Sequence, residues 1–199
     1  MKKNDIENKK FSDRPTIEQI DKELERLEYR KAYGKAMRGT IWVLIVVAAL
    51  AIIFSTFFFS VLKIQGNSMT PSLNEDEMVV AIKTNDFESG DIIAFYFNNK
   101  ILLKRAIGSP GEWVNIAEDG TVYIDNEEIL EPYVKDKTKG ECTTNFPYQV
   151  PDNRWFVLGD HRSTSVDSRS DVIGTVSSEQ VIGKVVFRIW PFSNFGFVK

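Results

Sequence analysis

The sequence predicts a mainly β domain carried behind one membrane-spanning helix, on three observations. The run from Thr40 to Leu62 contains no charged residue. From Met78 onward, short β-branched and aromatic runs alternate with turn residues, as strands and their connections do. No long amphipathic helix pattern follows residue 63, which argues against a βαβ architecture.

Residues 1–39 form a charge-rich segment expected to be partly helical. Ile17, Ile20, Leu24 and Leu27 recur at helical spacing behind Thr16, a capping residue followed by Glu18 and Gln19. A solvated helix with a disordered start accounts for this pattern; a helix on the membrane or against a partner is the other reading. The apolar run 40–62 comes next. As a helix it reaches about 34 Å, against a hydrocarbon core of about 30 Å. A buried core helix rarely stays free of charge for so long, and a cleaved signal peptide would be shorter and nearer the start. Arg30, Lys31, Lys35 and Arg38 are the only charges between Glu28 and the run. Positive residues stay on the cytoplasmic side, so the N-terminus is expected inside and residues 63–199 outside.

The outer part is long enough for one domain with a real core. Expected strands are Met78–Ile82, Asp91–Tyr96, Ile101–Ile107, Trp113–Ile116, Thr121–Ile124, Trp155–Leu158 and Val181–Ile189. Turn signals separate them: Ser89-Gly90, Asn98-Asn99, Ser109-Pro110-Gly111, Asp119-Gly120 and Asp125-Asn126. Asp119-Gly120 between two apolar runs marks a hairpin. The whole chain has 199 residues and a formal net charge of −3. With one cysteine, Cys142, it forms no internal disulfide, and with one histidine it lacks the usual metal clusters. It shows neither a Gly-rich phosphate loop nor a basic aromatic patch, so no cofactor, metal or nucleic acid is expected.

The chemistry centres on Ser68, in Gly66-Asn67-Ser68-Met69-Thr70-Pro71-Ser72, just beyond the apolar run. A serine beside proline is usually a turn residue, and as a nucleophile it needs a base within reach. Two bases compete. His161 lies in the polar turn Gly159-Asp160-His161-Arg162 after an expected strand. Lys104 lies in Lys100-Ile101-Leu102-Leu103-Lys104-Arg105-Ala106-Ile107, where strand alternation puts it on one face with Leu102 and Ala106. Apolar neighbours on that face would desolvate it and lower its pKa. A lysine reaching out from an edge strand is the structural alternative.

Four ordered segments then resemble the conserved boxes of bacterial type I signal peptidases. They are Ser68-Met69-Thr70-Pro71-Ser72-Leu73, Gly90-Asp91-Ile92-Ile93-Ala94-Phe95, Lys104-Arg105-Ala106-Ile107-Gly108-Ser109-Pro110-Gly111-Glu112 and Gly159-Asp160-His161-Arg162-Ser163-Thr164-Ser165-Val166-Asp167-Ser168-Arg169. The resemblance runs from about residue 40 to the C-terminus. It implies a β-barrel-like catalytic core with a small β-rich cap, about 113–153, that includes Glu131-Pro132-Tyr133-Val134. The single anchor and short cap resemble the Gram-positive type. By resemblance, Ser68 is the nucleophile, its N–H an oxyanion donor, and Lys104 the general base. Ser165 orients the lysine, Asp167 and Arg169 support the site, and Gly159 and Asp160 hold structural positions. Ile64, Met69, Leu73, Leu102 and Leu103 resemble the lining of pockets for small residues at −1 and −3. The implied partners are signal peptides of exported preproteins, the lipid bilayer and the secretion translocon.

Two departures stand out. His161 replaces the family's usual asparagine, and Gly66 replaces a serine that completes the oxyanion hole in some members. Two other readings differ in class. A self-cleaving Ser/Lys protein, related to bacterial repressors of the same fold, would carry a DNA-binding pattern rather than an anchor. A non-enzymatic anchored β-domain would leave the four boxes as coincidence.

Overall fold

The computed structural model describes residues 16–198, so the expected disordered start of the N-terminal segment lies outside the described residues. The chain divides into two compact units, Met1–Phe54 and Ser55–Lys199. The described part of the first is helix α1, which runs without interruption over Ile17–Phe58 and so extends into the second. At its start the Thr16 N–H donates to Gln19 Oε1 at 3.0 Å, the reciprocal half of a capping box. Its apolar part reaches a mean hydropathy of 2.8, with nothing buried inside the protein. A helix that is apolar on every side and unburied is long and greasy enough to cross a bilayer.

The apolar run does not stay helical to Leu62. It leaves the helix at Phe58, and Phe59–Lys63 becomes strand β1. The charge-free helical stretch is therefore about 28 Å long, close to the thickness of a hydrocarbon core. Phe-Ser-Val-Leu-Lys alternates as a strand, and all five residues pair with β2 (Met78–Ile82), from Phe59↔Ile82 to Lys63↔Met78. Helical apolarity and strand apolarity look alike in a continuous run, so only the partner decides between them. Lys83 closes the junction: its N–H donates to Phe58 O at 2.9 Å and its ammonium to Thr56 O at 2.9 Å. Lys83 thereby supplies two donors to the carbonyls at the end of the helix.

The remaining strands are β3 (Ile92–Phe97), β4 (Lys100–Gly108), β5 (Trp113–Ile116), β6 (Val122–Ile124), β7 (Glu127–Glu128), β8 (Tyr148–Gln149), β9 (Arg154–Leu158), β10 (Val176–Ser177), β11 (Val181–Trp190) and β12 (Gly196–Phe197). The fold is mainly β with one N-terminal apolar helix. The main sheet runs β1-β2-β11-β3-β4-β9-β10, with β12 on β11; a smaller sheet runs β7-β6-β5-β8. The main sheet is open, since no pairing joins β1 to β10 among the described residues. Asn98 and Asn99 join β3 to β4 with φ of 45° and 61°, the tight turn that asparagine tolerates.

Strand alternation divides the core. Ile92 packs with Ile64, Met69, Leu73, Val79, Ala81 and Val185. Its neighbour Ile93 packs with Phe87, Phe95, Ala106, Val157 and Val176. A third cluster joins Ile107, Phe156 and Leu158 of the main sheet to Val114, Ile116 and Val122 of the small one. The small sheet is thereby fixed to the strands that carry the candidate site.

Candidate active site

Ser68 sits in the loop between β1 and β2, half-buried, while its neighbour Met69 and then Leu73 sink into the core. Two bonds shape the loop: Thr70 N–H donates to Asn67 O at 3.0 Å and Leu73 N–H to Met69 O at 2.8 Å. A third fixes Ser68 itself, whose carbonyl accepts from the His161 N–H at 3.1 Å. Two apolar anchors and three backbone bonds therefore hold the serine in place.

Lys104 lies in the middle of β4, opposite Ile93, and is only 4% exposed. Burial is the main reason its pKa falls from the ordinary 10.5 to about 8. The charge of Asp167 opposes that fall, Arg169 adds to it, and Asp160 opposes it more weakly. A lysine so shifted gives up its proton far more readily than a solvated one.

Ser68 and Lys104 line one groove of about 570 Å³, walled by the end of β1, the Ser68 loop and residues 100–104 of β4. Ile64, Met69, Leu102 and Leu103 are on its wall; Leu73 is not, being fully buried in the core behind it. Strand β9 pairs with β4 only from Arg105 onward, so among the described residues Lys100–Lys104 have no strand partner on that side, and all five line the groove. The groove also takes in Val61, Lys63, Gln65, Lys100 and Ile101, which the sequence reading did not select. Their proximity to Ser68 or Lys104 in the chain was the one available signal.

Gly159 explains how the last box reaches this place. A Cβ there would collide with the Ser165 side chain and come within 2.6 Å of the Ser68 carbonyl. Only glycine lets both serines approach the same backbone point. The Ser165 hydroxyl is buried and has no hydrogen-bond partner among the described residues. Asp167 accepts from the Gly159 N–H at 3.0 Å and takes the Arg169 fork, Nε at 2.8 Å and Nη2 at 2.9 Å.

Two further ion pairs escaped the sequence reading. Arg105 forks onto Asp160, Nε at 2.9 Å and Nη2 at 2.6 Å. Arg162 forks onto Glu131. Tyr133 links them: its hydroxyl donates to Glu131 at 3.1 Å, and its ring stacks 3.8 Å from the Arg105 guanidinium. Burial and the Glu131 charge push the Tyr133 phenol well above its ordinary range. Through Glu131 and Tyr133 the insertion thus links the two buried ion pairs. Partners 55 and 31 residues apart carry no local signature.

Comparison with known proteins places the chain. A family model described as signal peptidase, peptidase S26, matches residues 37–190. A signal peptidase IB of Staphylococcus aureus (strain COL) is 34% identical over 176 residues, covering 77% of this chain and 91% of that protein. A signal peptidase I of Bacillus amyloliquefaciens is 34% identical over 162 residues, covering 76% and 86%. A crystal structure of a signal peptidase I from Enterococcus faecalis V583 aligns at a TM-score of 0.43 and 32% identity, over 50% of this chain and 96% of that one. The chain belongs to the signal peptidase family, peptidase S26, and is a serine peptidase.

Proposed function

We propose that this protein removes N-terminal signal peptides from exported preproteins, with Ser68 as nucleophile and Lys104 as general base. One observation carries the reading: a lysine buried to 4% exposure, its pKa lowered to about 8, shares a groove with a serine whose backbone is clamped. The neutral Lys104 amine takes the Ser68 proton as Oγ attacks the scissile carbonyl. The Ser68 N–H stabilises the oxyanion. The resulting ammonium returns its proton to the leaving amine as the C–N bond breaks, leaving a Ser68 ester. A water, deprotonated by the same lysine, then hydrolyses that ester and restores the serine. The Asp167–Arg169 fork holds the Gly159 N–H and the Ser165 carbonyl from behind, and the Ser165 hydroxyl, without another partner among the described residues, would turn to the amine in the working site.

The free edge of β4 supports binding of the substrate as an added strand. Residues −1 and −3 of an extended peptide point the same way, so both face the wall formed by Ile64, Met69, Leu102 and Leu103. Small side chains at both positions would pack against this apolar wall. The charge-free part of α1 serves as the single anchor, with Arg30, Lys31, Lys35 and Arg38 keeping the N-terminus cytoplasmic and the catalytic domain outside.

Processing of a precursor with an Ala-X-Ala site, in vesicles or detergent, tests this directly. Ser68→Ala and Lys104→Ala should each abolish cleavage while the protein remains inserted. Full activity in Lys104→Ala would overturn the base assignment, and full activity in Ser68→Ala the whole mechanism.

A further inference from the structure

We infer that His161 is a positioning residue for the Ser68 loop, acting through Thr70. This rests on the reading of Ser68 as nucleophile. His161 touches the loop twice: its backbone N–H donates to the Ser68 carbonyl at 3.1 Å, and its ring Nδ1 lies 3.2 Å from Thr70 Oγ1. The hydroxyl of Thr70 has one proton, and it goes to the Asn67 carbonyl at 2.9 Å. Toward His161 the hydroxyl can therefore only accept, so the imidazole proton sits on Nδ1. A donor chain runs from His161 Nδ1–H to Thr70 Oγ1–H to Asn67 C=O and spans the nucleophile from one side of its loop to the other. Linked hydrogen bonds of this kind polarise and stiffen one another.

The ring does this without entering the groove. His161 lines a separate pocket of about 200 Å³ with Thr70, Asn74, Lys135, Asp136 and Asp160. Ser68 and Lys104 line the larger groove, and the two cavities share no lining residue. The imidazole reaches the serine only through backbone and Thr70, so it is not placed to take the Ser68 proton. Its Nδ1–H persists in the cation as well as in this neutral tautomer, so protonation leaves the tie intact. What it sets is the alignment of Oγ against the scissile carbonyl, where a shift of about 1 Å can cost up to ~100-fold in rate.

The test compares wild type, His161→Ala, His161→Asn, Thr70→Val and the His161→Ala/Thr70→Val pair as full-length protein in detergent, following kcat, KM, the pH profile and melting. His161→Ala should lower kcat by roughly 10- to 100-fold, with KM changed by less than about twofold. The pH midpoint should stay near that of wild type. His161→Asn should restore most of the rate, because its amide N–H sits at the same δ position. Thr70→Val should cost about as much as His161→Ala, and the pair no more than either alone. Full kcat in His161→Ala, an asparagine no better than alanine, losses that multiply in the pair, or losses that follow melting temperature would each overturn the inference. Ser68→Ala separates the two levels: cleavage by it defeats the nucleophile reading, whereas an inert Ser68→Ala beside a fully active His161→Ala defeats only the positioning role.

Discussion

Lys104 and Arg105 are consecutive residues on one strand, 4% and 2% exposed, and the protein treats their charges in opposite ways. Arg105 lies on the opposite face of the strand and is fully partnered: Asp160 takes its fork, Gly90 O accepts at 2.6 Å, Ser72 Oγ accepts at 3.1 Å and Tyr133 covers its plane. Lys104 lines the groove and has no ion pair among the described residues, and burial pulls its pKa down to about 8. Burial with a partner preserves a charge, whereas burial without one creates a base. The chemistry of the residues matches this division: guanidinium does not give up its proton in proteins, and an ammonium does so readily when desolvated.

The sharpest challenge to this contrast is Lys104→Arg. It keeps the positive charge but cannot supply a neutral amine, so cleavage should fall by at least ~1000-fold, measured by precursor processing. Next comes Asp160→Ala, which strands the Arg105 charge in the interior. It should destabilise the domain by about 3–5 kcal/mol in urea unfolding. Lys104→Met should do the reverse. Lowering the lysine pKa from 10.5 to about 8 costs the folded state roughly 3 kcal/mol at neutral pH, which methionine removes. The sign follows from proton uptake. Between pH 8 and 10.5 the unfolded chain binds more protons than the folded one, so wild-type stability rises with pH there. The methionine variant should be inactive, more stable at pH 7, and without that lysine-dependent rise. The smallest effect concerns the rate profile, whose wild-type midpoint is expected near pH 8. Asp167→Asn removes the leading charge that holds the Lys104 pKa up, so the midpoint should move below 8. A midpoint that rises would show that Asp167 acts through Arg169 rather than on the lysine.

Much of this was legible in the residues. Alternation along Lys100–Ile107 placed Lys104 and Arg105 on opposite faces, as the two core clusters on either side of the sheet require. The strands Met78–Ile82 and Trp113–Ile116 begin and end where β-branched and aromatic residues give way to turn formers. What escaped had no local period to show. β7, β8, β10 and β12 are two-residue ladders, too short to alternate. β1 was hidden in an apolar run shared with the helix, and the Arg105–Asp160 and Arg162–Glu131 pairs join residues that the chain keeps far apart.

Residue types and their spacing by themselves determined the long apolar helix, the β character of the domain that follows it, and the short menu of serine, lysine and histidine from which any chemistry had to come. Hydropathy, side-chain period and acid–base inventory are local properties, readable along the chain. Tertiary structure decided among them. It set Ser68 and Lys104 on the wall of one groove, gave the neighbouring arginine an ion-pair partner that the lysine lacks among the described residues, and put His161 at a separate cavity. A pKa and a catalytic approach depend on what lies within a few ångströms, and that distance is set by folding.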